Sequence, residues 1–224
     1  MNILICISSK YPNPTLYNCI EELYTKQINN KQQESQESQE SQDTYTIHVV
    51  DSDSTSNIYY EKIQKDYPNV VIHMIKNKNY EYGAWKYIVD TYPNFDIYFC
   101  IQDSNIIFKY IDLSRVNDTT VYAFHNLSGY TLHPSIKGEG IENLKESGLN
   151  YQSIIDTKFN LAQHSSFIVK NTTIKDIFRH LTIPPINKSG SCFYERNFGI
   201  YFIDKGIHTI NLYDHMNKIH GSRI

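Results

Sequence analysis

The first half of the chain alternates between short apolar segments and segments with helical periodicity. The apolar segments read as strands and lie at 2–8, 45–54, 69–75 and 95–103. Between the first two, apolar residues recur at three- and four-residue spacing from Leu16 to Tyr24, which is typical of a helix with one buried face. Four strands separated by three such helices predict an α/β fold with a mostly parallel central sheet and helices on both faces. Strands that are almost wholly apolar agree, because both of their faces are then covered.

The length of the chain indicates how many domains it forms, and its net charge argues against one class of partner. A chain of 224 residues can bury one core, so we expect a single domain covering 1–224. The formal net charge of -3 and a pI near 6.3 argue against binding to nucleic acid, which normally needs a basic face. Three tandem Gln-Glu-Ser units lie within 29–43, a polar stretch that predicts a flexible surface insertion.

The sequence also bears on where the protein works. No segment contains the ~20 apolar residues that a membrane-spanning helix needs, and 1–13 lacks the basic lead of a signal peptide. The four cysteines are scattered, and Cys6 and Cys100 fall inside apolar strands, where they are expected to act as small buried hydrophobic residues. We therefore predict a soluble cytoplasmic protein.

Polar side chains follow each of the four predicted strands. They are Ser8 and Ser9, 51–54, 76–79 and 102–105. Ligands of open parallel sheets bind at the carboxyl ends of the strands, where these segments would meet. The sequence therefore predicts a polar binding site at this edge of the sheet.

The motif VVDSDST fits more than one chemistry. A D-x-D-x-T sequence after an apolar strand is typical of haloacid-dehalogenase-type phosphatases, with Asp51 as nucleophile and Asp53 as general acid. In those enzymes the motif follows the first strand, whereas here a complete strand and helix precede it. An acid at the end of the second strand is also typical of nucleotide-sugar transferases, where it accepts hydrogen bonds from the nucleoside. A solvent-exposed turn is the third interpretation.

The segment NKNYEYGAWKYIVDTYPNFDIYFCIQDSNIIF resembles the donor-binding core of GT-A-fold glycosyltransferases. It is similar to the small domains found in bacterial polysaccharide clusters and in large DNA viruses, including the chlorovirus type. The resemblance covers residues 2–110 and continues only in the short pieces HSSFIVK and YERNFGIYF. It implies a GT-A-type (Rossmann-like) single domain, with a nucleotide-sugar-binding half at 1–110 and an acceptor-binding half at 111–224.

The resemblance implies transfer of a sugar from a nucleotide-diphosphate-sugar donor to a carbohydrate acceptor, with inversion at the anomeric carbon. A UDP-sugar of the UDP-glucose or UDP-rhamnose type is the preferred donor, and the host cytoplasm is the expected location if the protein is viral. The donor-binding residues that it implies are Ser8, Asp51, Ser52, Lys78, Gly83, Ala84 and Ser104. Gly83 and Ala84 are expected to open a helix whose backbone N–H groups face the phosphates.

The same resemblance implies Mn²⁺ or Mg²⁺ bound by Asp103, the last residue of the apolar segment FCIQD. Gln102 stands where such sites usually have another acid, so His215 and His220 are candidate additional ligands. Glu195 is the candidate general base that deprotonates the acceptor, and Trp85 is expected to pack in the core. The alternatives to a transferase are the phosphatase and a catalytically inactive glycan-binding protein.

Overall fold

The structure is a computed structural model that describes residues 1–10, 12–29, 43–54, 58–127, 138–155 and 157–219. The predicted insertion at 29–43 lies outside the described residues except for Asn29 and Asp43, which flank it. His220 also lies outside them.

Nine strands are seen in the described part of the chain: β1 (Asn2–Ser9), β2 (Thr44–Asp51), β3 (Val71–His73), β4 (Ile97–Gln102), β5 (Asn105–Ile107), β6 (Thr120–Ala123), β7 (Phe167–Lys170), β8 (His208–Asn211) and β9 (Met216–Lys218). Seven of them form one sheet in the order β3-β2-β1-β4-β7-β6-β8. All neighbours in this sheet are parallel except β7, which is antiparallel to both β4 and β6. The mostly parallel sheet predicted from the alternating first half is confirmed.

The α-helices are α1 (Pro14–Glu22), α2 (Ile58–Asp66), α3 (Tyr80–Thr91), α4 (Gly138–Glu146), α5 (Gln152–Ile155), α6 (Asn171–His180) and α7 (Lys188–Asp204). A π-helical turn, Leu23–Ile28, extends α1. Helix α1 is capped by Asn13, whose side chain accepts the N–H of Thr15 at 2.8 Å. Helix α7 ends at Asp204, and Gly206, two residues later, has the left-handed conformation that commonly follows a helix terminus (φ 65°).

The core lies on both faces of the sheet. Alternate residues of a strand point to opposite faces, so Leu4 and Cys6 pack with α3, α6 and α7, while Ile3 and Ile5 pack with α1 and α2. All four side chains are fully buried. The continuous apolar strands seen in the sequence are therefore explained by helices that cover both faces of the sheet.

The strands β5 and β9 form a separate antiparallel pair beside the main sheet. Strand β5 starts three residues after β4 ends, and Asn105 pairs with Lys218. This pairing brings the C-terminal segment to the carboxyl end of β4. None of the helices in the described part of the chain combines the length and the apolar character needed to cross a lipid bilayer.

Candidate active site

A polar cleft of about 320 Å³ lies at the carboxyl ends of β1, β2 and β4. Its lining residues are Ser8, Lys10, Ser52, Asp53, Asn77, Lys78, Tyr80, Glu81, Gln102, Asp103 and Lys188. All four polar segments predicted to converge contribute to it. Its volume lies at the lower end of the range for small-molecule sites, roughly 300–1,000 Å³.

Asp103 lies where the ends of β1 and β4 meet. Its Oδ2 atom accepts hydrogen bonds from the hydroxyl of Ser9 at 3.1 Å and from the N–H of Lys10 at 3.2 Å. Its own N–H donates to the carbonyl oxygen of Ser8 at 3.0 Å. Asp103 thus fixes the path of the chain as it leaves β1 and holds Lys10 at the cleft.

Asp51 lies beneath the cleft and is fully buried. Its carboxylate accepts hydrogen bonds from the N–H of Ser54 at 2.7 Å, from the Ser54 hydroxyl and from the hydroxyl of Tyr60 at 2.6 Å. It therefore shapes the turn that presents Ser52 and Asp53 to the cleft. A buried carboxylate with these partners disagrees with the phosphatase hypothesis, in which Asp51 must reach a phosphorus atom.

Gly83 and Ala84 do not open a helix, because α3 begins three residues earlier at Tyr80. The N–H of Gly83 already donates to the carbonyl oxygen of Asn79 at 3.0 Å, and Ala84 is fully buried. A Cβ atom on Gly83 would lie 2.1 Å from Oδ1 of Asn77. Because Gly83 has no side chain, the side chain of Asn77 can pack against it. The N–H of Gly83 is already used within the helix, so this geometry does not present it to a phosphate group.

The loop between β3 and α3 forms one wall of the cleft. Asn77 is buried, and its amide nitrogen donates to the carbonyl oxygen of Tyr80 at 2.6 Å and to the hydroxyl of Ser52 at 3.5 Å. Lys76 and Tyr80 both have positive φ, 53° and 55°. Backbone strain of this kind is concentrated at binding sites. The rigid loop leaves Lys78 exposed at the cleft.

A hydrogen-bonded network crosses the end of β4. Glu81 accepts the amide N–H of Gln102 at 2.5 Å and the hydroxyl of Ser191 at 3.1 Å. The amide oxygen of Gln102 in turn accepts a hydrogen bond from the ammonium group of Lys218. Lys218 Nζ also lies 3.5 Å from Nδ1 of His164. The network links the end of β4 with the C-terminal half of the chain.

Glu195 lies one helical turn beyond Ser191 on α7, about 6 Å along the helix axis. Since α7 starts at Lys188, Glu195 is in the third turn of the helix and not near its start. Its Oε1 atom accepts the N–H of His164, whose φ is 61°, at 3.0 Å. Burial raises the pKa of the Glu195 carboxyl above its usual value, and the charge of Glu81 adds to that rise. A carboxylate whose pKa is raised is a stronger base, which suits general base chemistry.

Of the candidate metal ligands in the described part of the chain, Asp103 and His215 are held in different contacts. The carbonyl oxygen of Ser104, next to Asp103, accepts the N–H of Ile219, whereas the carbonyl oxygen of His215 accepts the N–H groups of Phe108 and Lys109 beyond the far end of β5. Nδ1 of His215 lies 2.7 Å from the carbonyl oxygen of Tyr110. Within the described ranges, no three His, Cys, Asp or Glu side chains are grouped to hold a metal ion. The three acids that line the cleft, Asp53, Glu81 and Asp103, are not grouped as ligands, and Asp103 alone is a poor match for Mn²⁺ or Mg²⁺, which prefer several hard oxygen ligands.

Several cleft residues were missed by sequence reasoning. Lys10 and Glu81 directly flank motifs that the sequence does reveal, so proximity to a strand end is a usable signal for them. Lys188, which lines the cleft, and Lys218, which contacts the cleft residue Gln102, come from the second half of the chain, and their positions depend on the docking of α7 and on the pairing of β9 with β5. The cleft is therefore lined by residues from both halves of the chain.

The strand order and the cleft at the carboxyl ends of β1, β2 and β4 define a single α/β domain of GT-A-like fold. Trp85, expected in the core, is fully buried there.

Among solved structures, the chain is similar to S. aureus TarS, a glycosyltransferase, with a TM-score of 0.52 at 12% sequence identity. The alignment covers 96% of this chain and 36% of TarS, so this chain spans about a third of the length of that protein. No protein-family model matches the chain, and no curated protein sequence matches it significantly. The similarity to TarS at this identity supports the shared fold.

Proposed function

We propose that this protein is a glycosyltransferase that moves a sugar from a nucleotide-diphosphate-sugar donor to a carbohydrate acceptor. The observation that carries the proposal is the polar cleft at the carboxyl ends of β1, β2 and β4, with the largely buried carboxyl of Glu195 beside its network. The GT-A-like fold shared with TarS supports it. Within one domain, 1–110 would bind most of the donor and 111–224 would bind the acceptor.

The proposed donor site uses the exposed side of the cleft. Lys10, Lys78 and Lys188 carry positive charge toward the position of a diphosphate. Ser8 and Ser52 line the same cleft as hydrogen-bonding groups, and Asp51 supports the turn beneath them. UDP as the nucleotide and glucose or rhamnose as the sugar rest on the resemblance of the YEYGAWK and QDS motifs.

In the proposed reaction a hydroxyl oxygen of the acceptor forms a bond to the anomeric carbon of the donor sugar. The bond from that carbon to the diphosphate oxygen breaks, and its electron pair leaves with the nucleoside diphosphate. Glu195 takes the proton of the acceptor hydroxyl. Attack from the side opposite the leaving group inverts the configuration, which is the outcome that the resemblance implies.

The predicted Mn²⁺ or Mg²⁺ has no step in this mechanism, because the residues around Asp103 fit a divalent cation poorly. GT-A glycosyltransferases often use such an ion, which stabilises the leaving diphosphate when it is bound. Here Asp103 is assigned the role of holding Lys10 and the end of β1 in place.

A screen of UDP-, GDP- and dTDP-sugars by calorimetry and thermal shift tests the proposal. We expect one nucleotide to bind and to raise the melting temperature, and the variant Asp103→Ala to bind it about tenfold more weakly, because Lys10 is no longer held. A glycan array with the bound donor then identifies the acceptor by mass gain. Release of inorganic phosphate from a simple ester, or glycan binding without affinity for any nucleotide-sugar, would contradict the proposal.

A further inference from the structure

At the end of β4, a neutral residue in contact with a positive charge stands at the position where an acid is usual in proteins that this chain resembles. Gln102 occupies that position and is 8% exposed. Both ends of its amide group are used, since the nitrogen donates to Glu81 and the oxygen accepts from Lys218. A divalent cation at Gln102 would have to approach the ammonium group of Lys218, and like charges repel strongly in a partly buried site.

The position of Lys218 is fixed by tertiary structure. Its backbone pairs with Asn105, two residues beyond Asp103, in the β5–β9 ladder. Its Nζ atom lies between the amide oxygen of Gln102 and the ring of His164, and the side chain is half-buried. Because these contacts come from β4, β9 and the turn before β7, the charge is built into the site and is not a mobile surface lysine.

The other charges of the cleft nearly cancel. Three lysines (Lys10, Lys78 and Lys188) and three acids (Asp53, Glu81 and Asp103) line it. Lys218 adds a positive charge behind Gln102, and the N-terminal end of the 17-residue helix α7, where Lys188 lies, adds the positive end of its dipole. The carboxylate of Glu195, which interacts electrostatically with Lys218, balances this charge in number, so the positive charge that a diphosphate would meet is local, at the three cleft lysines and at Lys218 behind Gln102.

We propose that Lys218, together with the three cleft lysines, takes the place of a divalent cation at the donor diphosphate, so that the protein binds and uses its nucleotide-sugar without a metal ion. This inference rests on the proposed transferase function. In this proposal, Lys218 neutralises charge on the leaving diphosphate, either through Gln102, which it contacts, or by direct contact with the diphosphate. Lys10, Lys78 and Lys188 contact the phosphate oxygens.

Calorimetry of UDP, GDP and dTDP binding to the chelator-treated protein, in EDTA and then in Mn²⁺, tests the inference. The nucleotide should bind in EDTA with an affinity within about threefold of that in Mn²⁺, a difference of less than about 0.7 kcal/mol. Lys218→Met should weaken binding about tenfold, since a charge-assisted contact is lost. Lys109→Met is the matched control, because Lys109 is an exposed lysine just after β5 and should bind as the native protein does.

A double variant, Gln102→Asp with Lys218→Met, tests the role of the charge directly. It restores an acid beside Asp103 and removes the ammonium group, so nucleotide binding should now increase at least about fivefold when Mn²⁺ is added. Circular dichroism and the melting temperature establish that each variant is folded.

The outcomes separate this inference from the function on which it rests. Binding of a nucleotide by the native protein only in Mn²⁺ would overturn the metal-free site and leave the transferase proposal standing. Equal affinity of Lys218→Met and the native protein in EDTA would overturn the role of Lys218. Absence of binding to any nucleotide in both conditions would overturn the proposed function itself.

Discussion

The Oδ2 atom of Asp103 lies 3.1 Å from the hydroxyl oxygen of Ser9, although 94 residues separate the two in the chain. The contact exists because β1 and β4 are parallel neighbours whose carboxyl ends meet at the same edge of the sheet. It joins the end of one strand to the end of the other and places Lys10 at the mouth of the cleft. The cleft is therefore a product of strand order.

Replacing Glu195 with Gln separates its chemical role from its structural one. Gln keeps an oxygen that accepts the N–H of His164, so we expect a folded protein whose turnover falls by about a hundredfold or more while the donor affinity is retained. Glycosyl transfer by the native protein should decline as the pH falls through the raised pKa of Glu195, because the protonated acid cannot accept a proton. Turnover near the native value in Glu195→Gln would exclude Glu195 as the base.

The same substitution has a predictable effect on stability. The pKa of Glu195 is raised in the folded protein, so its ionised form opposes folding at pH values above that pKa. Glu195→Gln should therefore melt at a higher temperature than the native protein near neutral pH. The difference should shrink as the pH falls and Glu195 becomes protonated. Thermal melts across a pH series measure it, and a gap that widens toward acid would contradict the burial of this carboxyl.

Replacing Gly83 with Ala should disturb the loop that carries Lys78. The new Cβ atom would lie 2.1 Å from Oδ1 of Asn77 and 2.8 Å from Cβ of Asn79, so the loop must shift. We expect a loss of about 1–3 kcal/mol in the free energy of unfolding and weaker nucleotide binding. A double-mutant cycle with Asn77→Ala should show positive coupling, because that change removes the closest clash. Full additivity of the two changes would contradict the packing role of Gly83.

Trp85, the single tryptophan of the chain, is predicted to be a core residue without a direct role in sugar binding. It is fully buried, and its indole N–H donates to the carbonyl oxygen of Ser165 at 2.9 Å. Trp85→Phe should lower the free energy of unfolding by about 2–4 kcal/mol, through lost packing and an unsatisfied carbonyl group. Chemical denaturation followed by circular dichroism gives this value. Donor affinity should stay within about twofold of the native value, and a larger loss would indicate that the ring supports the site.

The buried histidines His48 and His73 should make the protein less stable in mild acid. Their ring nitrogens Nδ1 and Nε2 lie 3.0 Å apart, and burial lowers both pKa values, that of His48 to about 4. In the unfolded chain each histidine binds a proton near pH 6.5, so the free energy of unfolding should fall as the pH drops from about 6.5 toward about 4. His48→Phe should reduce this dependence, whereas the exposed His208→Gln should leave it unchanged.

The sequence predicts elements better than it predicts their ends. Helix α3 begins at Tyr80, three residues before Gly83, the residue at which the sequence predicts its start. Tyr80 has a positive φ and Asn77 fills the space above Gly83, and neither fact has a signature in local propensity. The prediction that Gly83 and Ala84 open the helix is wrong for this reason, since the role of a glycine depends on what packs against it.

The sequence by itself determined the sheet, its helices on both faces and the polar edge, because hydrophobic periodicity is a local property that burial enforces. It also identified Asp103 as the residue at the end of β4. Only the tertiary structure decided which distant residues join this network: Lys218 contacts Gln102 through the β5–β9 pairing, and Glu195 contacts His164 through the docking of α7. These contacts join distant parts of the chain, so their chemistry is set by packing and not by any local pattern of residues.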